Sequence, residues 1–340
     1  MSTIKDVARL AGVSPATVSR ITSGATNVNP ETRKRVLDVI QQLSYSPNSA
    51  ARALAMRRTG AVGILLNRME DPFYYDLIRG FSDGSTHNDI TAVFCTYKDR
   101  DTQNHYVDYL TNGVIDGIII YGSYFLDKEI ILRLEGMRFP LLVIESPFDD
   151  FPSNRILIDN YGGVFQAVEY LAQLGHNRIA FIGGNVNKRN SIERSDGYFS
   201  AMQKYGLPIR RDYVHNLYDD DYSAGFDSMK QILALGKEKP TAVVCGDDAI
   251  ASYAILAAQQ EGIRVPDDIS VIGFDDQKIM PFKYTGPDIT TLRQPLYEIG
   301  FESIGILKSC IEQKSGDSPS VKVYKTELLV HESVAPPSLE

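Results

Sequence analysis

Carboxylates, amides and phenol rings recur in this chain directly after short apolar runs, and that placement is where chemistry is to be sought. Asp71, Phe73 and Tyr74 follow the run at 61–66, Tyr121 closes the run at 117–121, and Glu145 closes that at 141–145. Asp159-Asn160, Gly183-Gly184, Asp247-Asp248 and Asp275-Asp276 follow later runs. Carboxylates accept hydrogen bonds from hydroxyls and aromatic rings stack on sugar faces, so converging groups of this kind suit a hydroxyl-rich small ligand. Taken singly, each residue is equally a helix N-cap or a turn residue.

Several other patterns point to chemistry that their surroundings do not support. Gly80-Phe81-Ser82-Asp83-Gly84 has nucleophile-elbow spacing, but that motif needs a strand-to-helix turn, and here a helical pattern runs on from Phe73. The five His (His87, His105, His176, His215 and His331) lack metal-ligand spacing. Asp219-Asp220-Asp221 lacks the Gly and terminal Glu of a calcium loop. Gly183-Gly184 does not extend to a dinucleotide fingerprint. The expectation is a binding protein and not an enzyme, with no metal and no cofactor.

The elements that must position these residues fall into two kinds. From Ala61 onward, strand candidates at 61–66, 90–95, 117–121, 141–145, 155–158, 178–183, 241–245 and 269–274 alternate with helical stretches. Such alternation reads as parallel α/β with crossover helices, in which ligands bind beyond the carboxyl ends of the strands. Before Ala61 the pattern is all helical. Thr3 and Asp6 form a capping box, Ile4, Val7, Ala8 and Ala11 recur at helical spacing, and Gly12 stops the helix. Ser14-Pro15 restarts a helix at once, with Val18 and Ile21 inward. Asn29-Pro30 opens a third helix with Val36, Leu37, Ile40 and Leu43 as its expected buried stripe. Two short helices around a Gly turn make a helix-turn-helix, whose second helix enters the major groove of DNA. Ser14, Pro15, Ala16, Thr17, Ser19 and Arg20 are left on its outer face, where Arg20 can fork onto a guanine edge.

Charge separates the same two parts. The 340 residues carry a net −8, yet residues 1–60 hold nine Lys/Arg against three Asp/Glu, leaving +6 there and −14 beyond. A small basic module that can meet phosphates is joined to a large acidic one that is repelled from them. Between them Asn48 to Arg58 is rich in helix formers but too short to be a stable helix alone in water. It reads either as a plain linker or as a segment ordered by DNA, with Leu54 as a minor-groove wedge between Arg52, Arg57 and Arg58. No apolar run reaches the roughly 18 residues of a membrane span. Met1-Ser2-Thr3-Ile4-Lys5-Asp6 shows no export leader, so a cytoplasmic protein is expected, with Cys95, Cys245 and Cys310 as buried thiols.

Thr3-Ile4-Lys5-Asp6-Val7-Ala8, Ala11-Gly12-Val13-Ser14-Pro15-Ala16-Thr17-Val18-Ser19-Arg20, Glu31-Thr32-Arg33 and Tyr45-Ser46-Pro47-Asn48 closely resemble the LacI/GalR family of bacterial regulators. The likeness runs in order to about Ser333. It implies a helix-turn-helix domain at 1–46, a hinge at 47–59, and at 60–340 a two-lobed effector-binding and dimerisation body like periplasmic sugar-binding proteins. Three chain crossings are implied near 160, 290 and 322. It further implies a homodimer on a near-palindromic operator, with base reading by Thr17 and Arg20, operator-dependent contacts at Pro15 and Ala16, and paired hinges inserting Leu54. Thr3, Ser14, Ser19, Asn27, Asn48 and Arg52 complete the expected DNA-binding set. The family's Arg-Val-Leu-Asn-Gly stands here as Arg20-Ile21-Thr22-Ser23-Gly24, so Ser23 replaces an Asn that often touches the DNA backbone. Arg194, Asp247 and Asp275 fall on effector-contacting positions, and Glu145 occupies a place usually held by Asp. The family's sugar-stacking aromatic corresponds to Asp220, between Tyr218 and Tyr222. The expected effector set is therefore Asp71, Phe73, Tyr74, Tyr121, Glu145, Asp159, Asn160, Arg194, Asp220, Asp247 and Asp275. Acidic residues at the strand ends and few basic ones favour a neutral sugar that releases a repressor of carbohydrate-utilisation genes. The alternatives are a purine corepressor or phosphocarrier protein that strengthens DNA binding, and a transport-type solute receptor. With no long helical extension past Ser333, a dimer is expected.

Overall fold

The computed structural model describes residues 2–22, 27–45, 58–312 and 319–338. The chain divides into two units, Met1–Gly60 and Ala61–Glu340.

In the first unit, helix α1 (Ile4–Ala11) begins at a capping box in which Thr3 and Asp6 satisfy each other's backbone N–H groups, and it ends at Gly12 in the left-handed region. Only residues without a Cβ adopt that conformation freely, so the chain can turn there without strain. The Ser14 hydroxyl accepts from the Thr17 N–H at 3.2 Å and starts α2 (Pro15–Thr22). Asn29 caps α3 (Pro30–Gln42), and Arg35 on that helix donates through Nε to the Ala11 carbonyl at 2.8 Å, tying α3 to the end of α1. Val7, Ala8, Ala11, Val18, Ile21, Val36 and Val39 form the core. Leu37, expected within the stripe, is exposed, and Val39 takes the inward position instead. Ile40 and Leu43 pack only partly against the core.

The second unit holds two six-stranded sheets. The first orders β1 (Ala61–Asn67), β2 (Thr91–Tyr97), β3 (Gly117–Tyr121), β4 (Leu141–Ile144), β5 (Asn154–Ile158) and β11 (Val321–Tyr324) as β11-β5-β4-β3-β1-β2, all parallel. The second orders β6 (Ile179–Asn185), β7 (Val214–Leu217), β8 (Ala242–Cys245), β9 (Ser270–Asp275), β10 (Thr290–Arg293) and β12 (Glu327–Leu329) as β12-β10-β9-β8-β6-β7. Only β12 runs antiparallel there. Ile118 and Ile120 point into one core and Ile119 and Tyr121 into the other, so this strand is apolar on both faces, as a sheet covered by helices requires. The same alternation splits Ile179 and Phe181 from Ala180 and Ile182 in the second lobe.

The chain passes between lobes three times: at Asp159-Asn160 ahead of α7 (Asn160–Gln173), at Gln294-Pro295, and between β11 and β12. The strands β7, β10, β11 and β12 were not legible as apolar runs; three of the four are sheet edges, and β10 lies next to one. Cys95, Cys245 and Cys310 are free thiols, the second buried and the others half-buried. Among the described residues no helix is long and apolar enough to cross a membrane.

The nucleophile-elbow spacing at Gly80–Gly84 lies inside helix α4 (Tyr75–Asn88) and has a packing explanation. A methyl group at Gly80 would overlap the Tyr297 carbonyl oxygen, and one at Gly84 would sit 2.6 Å from that of Phe301. One at Gly300, on the facing helix α11 (Leu296–Glu312), would overlap the Leu77 carbonyl oxygen. The obstacle in each case is backbone, which cannot rotate away. Gly80→Ala should therefore destabilise this unit by about 1–3 kcal/mol, although Ala is the better helix former by roughly 1 kcal/mol. Thermal unfolding of the variant checks this; an unchanged or raised midpoint would refute the close helix contact.

Candidate effector site

The carboxyl ends of β1, β3, β6, β8 and β9 face one another across the lobes of the second unit and enclose a cleft of about 760 Å³, its open mouth included.

Arg194 is the centre of the floor. It projects from α8 (Arg189–Lys204), is buried, and meets four partners. Its Nε donates to Asn160 Oδ1 at 2.9 Å and its Nη1 to the Gly246 carbonyl at 2.6 Å. Its Nη2 lies 3.4 Å from Asp275 Oδ1, and its guanidinium carbon sits 3.7 Å from the centre of the Phe274 ring. Asp247 N-caps α10 (Asp248–Gln260), accepting from the Ile250 N–H at 2.7 Å, and faces the same cleft. Burial pushes the carboxyls of both Asp247 and Asp275 above the usual range, and each is opposed by the Arg194 charge. Asp275 has φ 109°, where a side chain is strained. Hydrogen bonding from Gln294 and the charge of Arg194 hold it there.

The first lobe supplies an aromatic wall. Phe73, Tyr74 and Tyr121 meet edge to face, with centroids 5.1, 5.8 and 5.5 Å apart. Asp71 starts the turn before them and accepts from the Phe73 N–H at 3.0 Å and from the Tyr222 hydroxyl of the other lobe at 2.6 Å. The second lobe offers no ring at the Asp220 position. Asp220 instead pairs with Lys188 at 2.8 Å and accepts from Asn185 at 3.2 Å and from the Tyr124 hydroxyl. Burial works against its charge, but Lys188 and these donors outweigh that and hold its carboxyl below the ordinary range.

Of the expected effector residues, Asp71, Phe73, Tyr74, Tyr121, Arg194, Asp220, Asp247 and Asp275 line this cleft. Glu145, Asp159 and Asn160 do not. Asp159 N-caps α7 by accepting from the Gly162 N–H at 2.8 Å. Glu145 and Asn160 lie behind Arg194: Glu145 accepts from the Ile158 N–H and from Asn160 Nδ2, both at 2.8 Å, and Asn160 turns its oxygen to Arg194. They orient the guanidinium without reaching the cavity. The cleft is also less poor in basic groups than the strand-end residues indicate, since Arg68 and Lys188 line it beside Arg194. Sequence reasoning passed over Asn185, which ends β6 beyond its apolar run, and Lys188, which sits in the turn after it with no periodic signal. Among the described residues no group of three or more His, Cys, Asp or Glu is arranged to hold a metal ion. His176 is held between Thr241 at 2.8 Å and the Ala335 carbonyl at 2.9 Å.

In the first unit, Ser14, Pro15, Ala16, Ser19, Arg20 and Asn27 are exposed. Thr17 is half-buried, its hydroxyl 3.0 Å from that of Ser14, and the Thr3 hydroxyl is engaged by Asp6 at 2.7 Å. Asn48, Arg52, Leu54 and Arg57, with Ser23 and nearly all of the expected hinge, lie outside the described residues.

Burial, with the Glu193 charge against it and the Asn160 hydrogen bond for it, raises the Glu145 carboxyl to about 7. A carboxyl raised in the folded state gives stability that is complete below its unfolded value near 4.5 and is lost as pH climbs through about 7. The loss amounts to at most about 3 kcal/mol. Glu145→Gln should remove that share, so its unfolding midpoint should fall less than wild type between pH 5 and 8; parallel pH profiles would show that the carboxyl is not raised.

Residues 3–48 match the family model described as bacterial regulatory proteins, lacI family, and residues 168–334 match that of a periplasmic binding protein-like domain. The chain is 33% identical over 339 residues to the HTH-type transcriptional repressor PurR of Actinobacillus pleuropneumoniae serotype 3 (strain JL03), covering 98% of each chain. Its fold matches the crystal structure of the lac repressor dimer bound to operator and the anti-inducer ONPF with a TM-score of 0.85 at 25% identity, covering 98% of this chain and 99% of that one. It matches the transcriptional regulator CelR–cellobiose complex with a TM-score of 0.74 at 28% identity, covering 98% and 100%. Relatedness at this level over nearly the whole length establishes descent as well as fold: the chain belongs to the lacI family of bacterial regulatory proteins.

Proposed function

We propose that this regulator is a cytoplasmic homodimeric repressor of carbohydrate-utilisation genes, binding a near-palindromic operator and released by a neutral sugar. One observation carries the choice of ligand. The buried floor sets two carboxylates, Asp247 and Asp275, against one guanidinium, with a three-ring wall beside them. The other deep cation, Lys188, is already spent on Asp220. Such a floor accepts from hydroxyls and offers an anion little; buried carboxylates without enough cations repel added negative charge. The likeness to a cellobiose-bound regulator supports the same ligand class. Binding, not turnover, is the function of the cleft.

On the DNA side, the exposed face of α2 would lie in the major groove. Short side chains at Pro15, Ala16 and Ser19 permit close approach, while Arg20 and Thr17 reach base edges. Segment 47–59 would serve as the hinge, with Arg52, Arg57 and Arg58 on phosphates and Leu54 between base steps. Ligand acts by changing the relation of the two lobes, which separates and melts the paired hinges and loosens the heads from the operator. A second reading, a purine that strengthens DNA binding, draws on the aromatic wall and on the likeness to PurR.

The two readings differ in sign. Neutral mono- and disaccharides titrated onto the operator complex should weaken it, and Asp275→Asn should reduce that response by about tenfold or more, as expected for losing a charged acceptor. Strengthening by nucleobases, with no effect of any sugar, would reverse the assignment. For the head, Arg20→Ala should cost roughly 1–3 kcal/mol in operator affinity and broaden the sequence selected from a randomised duplex pool at one base pair per half-site. Unchanged selectivity would remove Arg20 from base reading.

A further inference from the structure

Just outside the cleft the two lobes are stitched together by a seam of direct backbone and side-chain bonds. The turn after β3 and the start of α8 meet as a one-residue antiparallel bridge between Tyr124 and Lys188. The Phe125 N–H donates to the Asn187 carbonyl at 3.2 Å, and the Arg189 N–H returns a bond to the Ser123 carbonyl at 3.0 Å. Beyond it, the Arg189 side chain reaches from the second lobe to Asp149 of the first. Nη1 and Nη2 each donate to one carboxylate oxygen, at 2.9 and 3.0 Å. The same guanidinium is steadied by Glu193 at 2.7 Å through Nε, and Arg155 approaches Asp149 at 3.2 Å from its own lobe. Neither Arg189 nor Asp149 lines the cleft.

We infer that Arg189 and Asp149 are a clasp that sets the balance between closed and open lobes from outside the ligand cavity. Three features separate it from an incidental surface pair. The contact is a two-pronged fork, whose geometry is specific. It is buttressed on both sides, so little side-chain freedom is lost when it forms. It also sits next to backbone bonds that can exist only while the lobes are together, so the pair and the bridge open as one unit. Residues 123–125 and 187–189 therefore report closure directly. Because a ligand held between the lobes must act on this same balance, loosening the clasp changes how much closure any ligand has to drive. That last consequence rests on the lobe-movement reading above; the clasp itself does not.

The test is hydrogen exchange on the full-length protein, free of DNA and sugar, for wild type, Asp149→Asn, Arg189→Gln and the double variant. In wild type the Phe125 and Arg189 amides should be protected. Each single variant should speed exchange in peptides over 123–127 and 186–190 by about two- to fivefold, the range for an ion pair of this exposure. Peptides over β3 and the start of β6 should stay unchanged. The double variant should be no faster than either single one, because both remove the same contact. Absent protection in wild type, unaltered exchange in the single variants, additive effects in the double, or equal acceleration throughout the fold would each overturn the clasp. Failure of sugars to release operator would leave these rates untouched, so the two ideas fail separately.

Discussion

A buried guanidinium has to be met on every side, and the body of this protein is arranged around meeting Arg194. A charge taken out of water costs several kcal/mol unless hydrogen bonds and opposite charges replace its hydration. The partners come from widely separated parts of the chain: Asn160 at the first crossing, Gly246 after β8, and Asp275 at the end of β9 with Phe274 beneath. Gln294 at the second crossing holds Asp275 in turn. Thus the residue at the centre of the cleft floor is positioned by the segments through which the chain crosses between the lobes. A shift of the lobes cannot leave its surroundings unaltered, and anything that binds against Arg194 and its carboxylates acts on the crossings. Coupling between site and hinge is in this sense a consequence of satisfying one buried charge.

The opposite distribution of charge governs the head. Its core is seven small side chains, and its stability depends on local devices: the Thr3–Asp6 capping box, Gly12 in a left-handed turn, the Asn29 cap, and Arg35 tied to the Ala11 carbonyl. Such devices are worth about 0.5–2 kcal/mol each, which matters for a core of this size. They also keep the exposed Pro15, Ala16 and Ser19 of α2 out of the core, so these side chains could vary while the fold remains.

What could be read from the chain follows the same division. Local devices are contiguous in sequence, and Thr3, Asp6, Gly12, Ser14 and Asn29 perform the tasks their positions indicate. Central strands were legible because burial on both faces makes them continuous apolar runs, and strand-end residues such as Asp247 and Asp275 followed from the rule for open parallel sheets. Legibility stopped where function depends on a meeting of distant residues. Tyr124 and Asp220 are 96 positions apart, and neither predicts the other. Glu145 and Asn160 have the right residue types at the right strand ends, yet stand behind Arg194 in place of facing the cavity. Val39 in place of Leu37 shows a smaller version of the limit: helical spacing allows both, and the facing helices decide. The edge strands β7 and β11, Val-His-Asn-Leu and Val-Lys-Val-Tyr, carry polar residues because both are open to water, β11 along nearly its whole length.

The polar wall around Asp220 sets the terms on which this family member can be selective. A ring in the place of Asp220 would grip a flat ligand face by burial, a contact that is broad and tolerant of substituents. A carboxylate already bound by Lys188, Asn185 and a phenol is different: it is directional, and a ligand group replaces one of those donors only by matching its position. Mismatched groups would leave Lys188 or Asp220 partly unpaired in a half-buried place, and a missing partner there costs more than a missing apolar contact. With Phe73, Tyr74 and Tyr121 clustered on the first lobe, and Tyr222 of the second lobe turned to Asp71, a ligand in the cleft would meet rings on one side and the directional Lys188–Asp220 group on the other. In the proposed sugar site, discrimination among ligands of similar size would therefore fall to the groups around Asp220, whose partners Tyr124 and Lys188 also meet at the seam between the lobes.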